Sequence, residues 1–231
     1  MKHTAAATCL LVVTALLVTT SQLTGHSTAA VAEPSVRNGT FTDPTAPAGS
    51  YLRVTGDSAH GPAHWSLTRD DIDLYSPSLA RLDDAQSADL TGSRNGAVSQ
   101  SIATTAGQTY ELTWQDAPDT WPGAPQDPTG FDPEKQSCAD KNADDQPYQL
   151  VIGDSRAVTY RPSGTGRQPA WTARSRQFTA REDDTVIRFI SQASTGTLPH
   201  CGPQITRVSL RPAAVPRHEP DTPARSTAIH P

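Results

Sequence analysis

The sequence is poor in the residues that react, coordinate or anchor. Among 231 residues there are three cysteines, one methionine and three lysines. No C-x-x-C pair, G-x-S-x-G elbow or H-E-x-x-H stretch occurs, so the common zinc, α/β-hydrolase and zincin signatures are absent. The net charge is −5 and the arginines form no stripe, which excludes nucleic acid as an expected partner. Past the N-terminus no apolar run approaches the roughly 20 residues of a membrane-spanning helix. No window carries a sustained helical period. Aromatics make up only 6% of the chain, so each is worth placing individually.

What is present begins with an export signal. Residues 1–32 carry Lys2, an apolar stretch from about Ala5 to Val18, and an A-x-A ending at Ala32. That is the layout of a secretory signal peptide cut before Glu33. A membrane anchor is the alternative, but the apolar stretch is too short for a span. Cys9 lies inside that stretch, which argues against a lipid anchor. The C-terminus carries no hydrophobic tail and no sorting motif, so a secreted, extracellular protein is expected, with no membrane partner. Loss of Lys2 takes the charge from −5 to −6. The excess of Arg over Lys, with abundant Ala, Thr, Pro and Asp, suggests a GC-rich bacterial genome. Cleavage leaves Cys138 and Cys201, and two cysteines in an exported chain most simply pair. The bridge closes a loop of about 60 residues, worth roughly 4 kcal/mol in the chain-entropy model. Two free thiols are the alternative. His200 beside Cys201 does not make a zinc site, because adjacent residues rarely serve one tetrahedral ion.

Short extended segments fill the chain after Glu33. Strands are predicted near Ser35–Phe41, His64–Leu67, Ile72–Tyr75, Gln86–Leu90, Ala97–Ala103 and Gln108–Gln115. Further strands are predicted near Tyr148–Ile152, Ala157–Arg161, Thr172–Thr179, Thr185–Ser191 and Gln204–Arg211. They are rich in Thr, Val, Ile, Tyr, Trp and Phe and are punctuated by Gly, Pro, Asn and Asp. This spacing points to an all-β fold, an antiparallel β-sandwich or jelly roll spanning 33–211 as one domain. The last residues, 212–231, have almost no large apolar side chains and read as a disordered tail.

Residues 116–147 read as a long acidic, Pro-rich loop. Between Asp116 and Asp145 stand eight acids against two lysines, a net −6 that equals the whole imbalance of the mature chain. A loop of this length is uncommon unless functional or disordered. Asp140, Asn142, Asp144 and Asp145 match the start of a calcium loop, but Asp145 stands where the turn glycine belongs and Val151 where the closing Glu belongs. A looser calcium site on those four residues is one reading and a solvated acidic loop the other. Trp121 and Phe131 lie in this loop outside any period, with Asp119 and Asp132 close by, and form the candidate ligand contact. Trp114, Tyr110, Trp65 and Trp171 sit in or beside strands and read as structural. Gln100 interrupts the inward face of Val98 and Ile102. A buried amide must find partners or cost roughly 1–3 kcal/mol, so it reads as a strut, with a ligand hook as the alternative. The block VIGDS at Val151–Ser155 resembles the nucleophile block of GDS-type esterases. No D-x-x-H follows it, and a β-turn at Gly153-Asp154 is the simpler reading. No catalytic residue is assigned.

The order of the motifs resembles one family. NGTF (Asn38, Gly39, Phe41) is followed by HW (Trp65), IDLY (Asp73) and QSADLTG (Ser87, Asp89, Leu90, Gly92). GAVSQSIATTAGQTYELTW (Gly96, Val98, Gln100, Thr104, Gly107, Tyr110) comes next. WTARSRQFTA (Trp171, Phe178, Ala180) and CGPQITRVSL (Cys201, Gly202, Pro203, Ile205, Val208) close the set. This is similar to the bacterial choice-of-anchor C family, related to a plant cell-wall family of unknown-function domains with galactose-binding-like folds. The resemblance covers about Ser35 to Leu210. It implies a secreted carbohydrate-binding-like sandwich. No cofactor is expected, with calcium as the alternative. Bacterial relatives often carry a C-terminal anchor, and its lack here points to release into the medium. In related jelly rolls, acids near the termini help hold a structural calcium. Here Thr42 and Thr206 stand at those positions, so the site loses two hard anionic ligands.

The leading expectation is therefore a non-catalytic exported module that binds extracellular or cell-wall polysaccharide. A protein-interaction or wall-structure module without a sugar site is the second reading. A hydrolase with an unrecognised carboxylate pair is the third.

Overall fold

Alternation of burial runs along the longest strands. In β6 (Thr109–Ala117) Tyr110, Leu112, Trp114 and Asp116 are buried while the intervening side chains are half-exposed. In β12 (Asp184–Ser191) Thr185, Ile187, Phe189 and Ser191 are buried in the same period. Period two places every second side chain on one sheet face, so each strand offers one apolar face to a partner sheet. The computed structural model describes residues 35–56, 58, 61–124, 136–193 and 200–214, all within the unit Glu33–Pro231. The expected signal peptide, Phe131, Asp132 and the tail beyond residue 214 lie outside the described residues. No described helix is long and apolar enough to cross a membrane.

The remaining strands are β1 (Tyr51–Val54), β2 (Ser66–Arg69), β3 (Ile72–Tyr75), β4 (Ser87–Asp89), β5 (Ala97–Ala103), β7 (Tyr148–Ile152) and β8 (Val158–Tyr160). They are joined by β9 (Ser163–Thr165), β10 (Gln168–Ala170), β11 (Thr172–Thr179) and β13 (Gln204–Pro212). One antiparallel sheet runs β1-β3-β4-β13-β6-β11 and the other β2-β5-β12-β7-β8, with β9 and β10 as a separate hairpin. Ile72, Leu74, Leu112, Trp114, Ile205 and Leu210 from the first sheet share one core with Val98, Ile102, Leu150, Ile187 and Phe189 from the second. The architecture is an antiparallel β-sandwich, as the strand spacing predicts. A polar chain also crosses between the sheets. Trp114 Nε1 donates to Tyr148 Oη at 2.7 Å, and that hydroxyl donates to Asp116 Oδ2 at 2.6 Å. Arg174 Nε reaches the same oxygen at 3.0 Å. Burial raises the Asp116 pKa, while the Tyr148 and Arg174 hydrogen bonds oppose the shift.

Several local expectations need correction. Residues 35–41 form turns, not a strand, because Asn38 and Phe41 take positive φ angles of 50° and 53°. For a bulky residue that conformation costs about 1–2 kcal/mol. Phe41 keeps it while fully buried and stacked on Trp65, with centroids 5.2 Å apart. Gly39 is required beside it, since a Cβ there would lie 2.0 Å from the Val208 carbonyl oxygen. Tyr51–Val54 and the β9–β10 hairpin are strands the sequence pattern missed. The single-turn helix α1 (Pro77–Ala80) was also missed. The expected loop begins inside β6 and contains a 3-10 turn at Ala143–Asp145. The expected tail boundary also moves, because Pro212 still pairs with Tyr110. Gly153 and Asp154 form the expected turn, and Ser155 Oγ accepts from the Ile152 N–H at 3.3 Å.

Gln100 makes the backbone contacts expected of a strut. Its Oε1 accepts from the Arg37 N–H at 2.8 Å and its Nε2 donates to the Arg37 carbonyl at 2.9 Å. One side chain thereby ties the N-terminal segment to β5. Trp65 donates from Nε1 to the Asn38 carbonyl, and the Tyr110 hydroxyl accepts from the Thr105 N–H. Both are buried, as expected of structural residues.

Candidate functional site

The outer face of the six-stranded sheet is covered by a second layer. Cross-strand register places Arg53, Asp73, Asp89, Gln204 and Ala117 in one row over β1, β3, β4, β13 and β6. An outward row on an uncovered sheet would be wet, yet Asp73, Asp89, Gln204 and Ala117 are all buried. Residues 118–121 and 137–139 form the lid. Thr120 Oγ donates to the Leu79 carbonyl at 2.7 Å and accepts from Gln204 Nε2 at 2.9 Å. The Cys138 N–H donates to the Trp121 carbonyl at 2.9 Å. The expected disulfide joins Cys138 to Cys201, pinning the lid to the segment that enters β13. Gly202 is needed there, since a Cβ would lie 2.0 Å from Thr91 Oγ1.

Asp119 therefore points inward. It is fully buried, and its Oδ1 accepts from Tyr75 Oη at 3.0 Å and from the Trp121 N–H at 2.8 Å. This corrects the expectation that it offers a carboxylate to a ligand at the surface. Asp89 is equally buried and accepts from the Thr91 N–H at 3.0 Å. Its structural assignment fits this place.

The aromatic side chains gather above this buried layer. Tyr51, Trp121 and Trp171, all partly exposed, pack on the cluster of Tyr75, Leu79 and Ala80. Trp121 meets Tyr51 edge to face with centroids 5.5 Å apart, and Tyr51 lies 6.0 Å from Tyr75. Trp171 Nε1 donates to the Ala80 carbonyl at 3.1 Å, fixing the indole against α1. Arg53 lies over the Tyr51 ring at 5.6 Å while holding Asp73 through Nε at 2.9 Å and Nη2 at 3.0 Å. Of the predicted ligand contacts, Trp121 belongs to this cluster and Asp119 lies beneath it. Trp171 reads as structural from its place beside a predicted strand, and Tyr51 lies in the strand Tyr51–Val54 that the sequence pattern missed.

The weak calcium set does not converge. Asp140 is paired with Arg167, and Asn142 Oδ1 accepts from the Asp144 N–H at 3.1 Å to cap the 3-10 turn. Asp144 and Asp145 are exposed. Among the described residues the one gathered set of three ligating side chains is Cys138, His200 and Cys201, two of which form the disulfide. At the termini the oxygens converge on an amide. Gln86 Nε2 donates to the Phe41 and Pro44 carbonyls, and Thr206 Oγ donates to the Gln86 carbonyl at 2.6 Å. Those carbonyls already have donors, so the residues present do not fit a calcium ion there. A separate cleft of about 480 Å³, lined by Gly153–Ser155, Phe178–Glu182, Asp184–Val186 and Arg188 among others, mixes both charges.

Comparison with known proteins supports the resemblance at the level of the family of unknown-function domains. The family described as protein of unknown function (DUF642) matches residues 35–211. The chain belongs to the DUF642 family. No curated protein matches the chain. Among solved structures it is similar to TmCBM61 in complex with β-1,4-galactotriose, at 11% identity and TM-score 0.40, covering 77% of this chain and 97% of that one. It is also similar to CBM35 from Cellvibrio japonicus Abf62, at 12% identity and TM-score 0.39, covering 71% and 95%. A cyclase from Fischerella sp. TAU reaches TM-score 0.44 at 14% identity, covering 78% and 98%. At such scores none of these likenesses decides the reading; the sandwich is defined by its own strand order.

Proposed function

We propose that this DUF642 protein is an exported, non-catalytic module that binds extracellular or cell-wall polysaccharide through the cluster of Tyr51, Trp121 and Trp171. The observation that supports this most is the set of three partly exposed aromatic side chains sharing one fixed base of Tyr75, Leu79 and Ala80. Pyranose C–H faces pack on flat rings, and a rigid ring loses little entropy on contact. Hydroxyl groups of the sugar would meet polar groups at the rim, where Arg81 and the Arg167–Asp140 pair stand exposed. Export rests on the N-terminal signal, and the motif order favours the choice-of-anchor C branch.

The test is retention on insoluble polysaccharides and a glycan array with the mature chain. Trp121→Ala and Trp171→Ala should each weaken binding at least tenfold with little change in thermal midpoint. Unchanged binding in both variants would remove the site assignment. Failure to bind any polysaccharide, together with crosslinking to a protein, would move the function to the protein-interaction reading.

A further inference from the structure

The seam between the six-stranded sheet and its lid contains more acid than base. Asp73 and Asp89 stand directly opposite on adjacent strands, an arrangement that like charges disfavour. Arg53 from β1 engages Asp73 through two hydrogen bonds. Asp119 closes over the pair from the lid. Two carboxylate oxygens, Asp89 Oδ2 and Asp119 Oδ2, are buried and have no hydrogen-bond partner among the described residues. The Gly202 N–H lies close enough to the Asp119 carboxylate to lower its pKa. The other charged or titratable groups facing the seam are Tyr75 on β3, Asp71 just before it, Lys141 and Asp145 beyond the lid, and His200 before β13.

An ionised carboxylate oxygen in a dry seam with no donor is strongly disfavoured; a proton removes the charge. We infer that the seam is a proton-operated clasp that regulates the aromatic site above it. With Asp119 protonated the lid sits down and Trp121 is held in place. With Asp119 ionised, burial of its charge beside Asp73 loosens residues 118–121. Geometry makes the link direct, because Asp119 Oδ1 holds both the Trp121 N–H and the Tyr75 hydroxyl, and these are the residues on which the platform is built. The inference rests on the binding role proposed above.

Burial first, and then Asp73, raise the Asp119 pKa from 3.8 to about 7. Burial, Asp119 and Asp73 push Asp89 well up too. The sign follows from linkage. A carboxyl raised on folding contributes fully below its unfolded pKa, and the contribution is lost as pH rises through the folded one. Closure is therefore complete in mild acid and lost as pH passes about 7. If only the protonated form binds, affinity at pH 8 is about tenfold weaker than at pH 5.

The experiment follows the Trp121 backbone amide and the Asp carboxyl carbons by NMR from pH 5 to 8.5, on the mature chain without ligand. The expected result is a common titration near pH 7. Asp119→Asn should flatten the Trp121 response, and Asp73→Asn should lower the midpoint by removing the like charge that raises Asp119. Polysaccharide retention measured at pH 5 and pH 8 completes the set. A titrating amide with no sugar binding at any pH would sustain the clasp and remove the binding role. Binding with a flat amide response, or an Asp119 carbon that titrates near 4, would overturn the clasp while leaving the binding role. The same titration with 1 mM calcium is the control. Stoichiometric calcium uptake that abolishes the pH response would show a cation, not a proton, in the seam, and would overturn it as well. Should Asp119→Asn fail to fold, the wild-type carboxyl titration alone decides.

Discussion

Gln86→Ala is expected to be strongly destabilising. The side chain is buried and serves three backbone groups. Its Oε1 accepts from the Ala46 N–H at 2.6 Å, while Nε2 donates to the Phe41 and Pro44 carbonyls. Its own backbone carbonyl takes the Thr206 hydroxyl at 2.6 Å, so residues 41–46 are tied to β13 through one residue. Truncation to Ala leaves one N–H and two carbonyls without a partner. Each buried orphan costs roughly 1–3 kcal/mol, and water entry relieves part of it, so a loss of about 4 kcal/mol is expected. For a domain of this size that corresponds to a fall in Tm of about 8–16 °C. Urea unfolding followed by far-UV circular dichroism gives the free energy, and calorimetry gives Tm. Gln86→Glu separates hydrogen bonding from volume. It keeps the acceptor but turns a carboxylate toward two carbonyls, so it should be destabilised at pH 7 and partly recovered at pH 4. A loss below about 1 kcal/mol in Gln86→Ala would refute the reasoning, since the three groups would then have partners the structure does not show.

Two further outcomes follow from single contacts. Gln100→Ala removes both bonds to Arg37 and should cost about 2 kcal/mol while sparing polysaccharide binding; loss of binding at unchanged Tm would restore the hook reading. Replacing Cys138 and Cys201 with Ala opens a loop closed at a separation of 63 residues and should cost about 4 kcal/mol. In that variant hydrogen exchange should quicken at residues 118–121 and 137–139 before it quickens in β5, β6 or β12.

The sandwich itself was legible because burial in antiparallel sheets obeys period two. Strands β3, β5, β7 and β11 fall where Ile72–Tyr75, Ala97–Ala103, Tyr148–Ile152 and Thr172–Thr179 predict them. Gln100 was legible for the same reason: an amide on the apolar face of β5 had to be paired. The segment 35–41 was misread because its β-prone residues, Val36, Thr40 and Phe41, outweighed the turn that Asn38 and Gly39 impose. Asp119 was misread for a different cause. Charge and proline content mark a segment as loop, but they do not say which side of a loop faces a sheet. In IDLY and SADL the outward positions carry Asp, Tyr and Ser, and outward polar residues ordinarily mean solvent. Only the cross-strand row of Arg53, Asp73, Asp89 and Gln204 reveals that this face is covered.

Coverage of that face explains why the same short region supplies both the acids and the aromatics. The sandwich core is closed by apolar side chains from two sheets and does not need the lid. The lid touches a polar row, so it is fastened by hydrogen bonds from Thr120, Gln204 and Tyr75, and by one disulfide. Polar fastening depends on protonation and a disulfide on redox state, whereas apolar packing depends on neither. Aromatic side chains placed on such a layer can therefore respond to conditions that leave the sandwich unchanged. The division also assigns mutational effects in advance. Substitutions at Leu112 or Phe189 act on global stability, because both are fully buried in the shared core. Substitutions at Asp119 or Asp89 act first on how the lid sits, and through the Trp121 N–H on the surface above it.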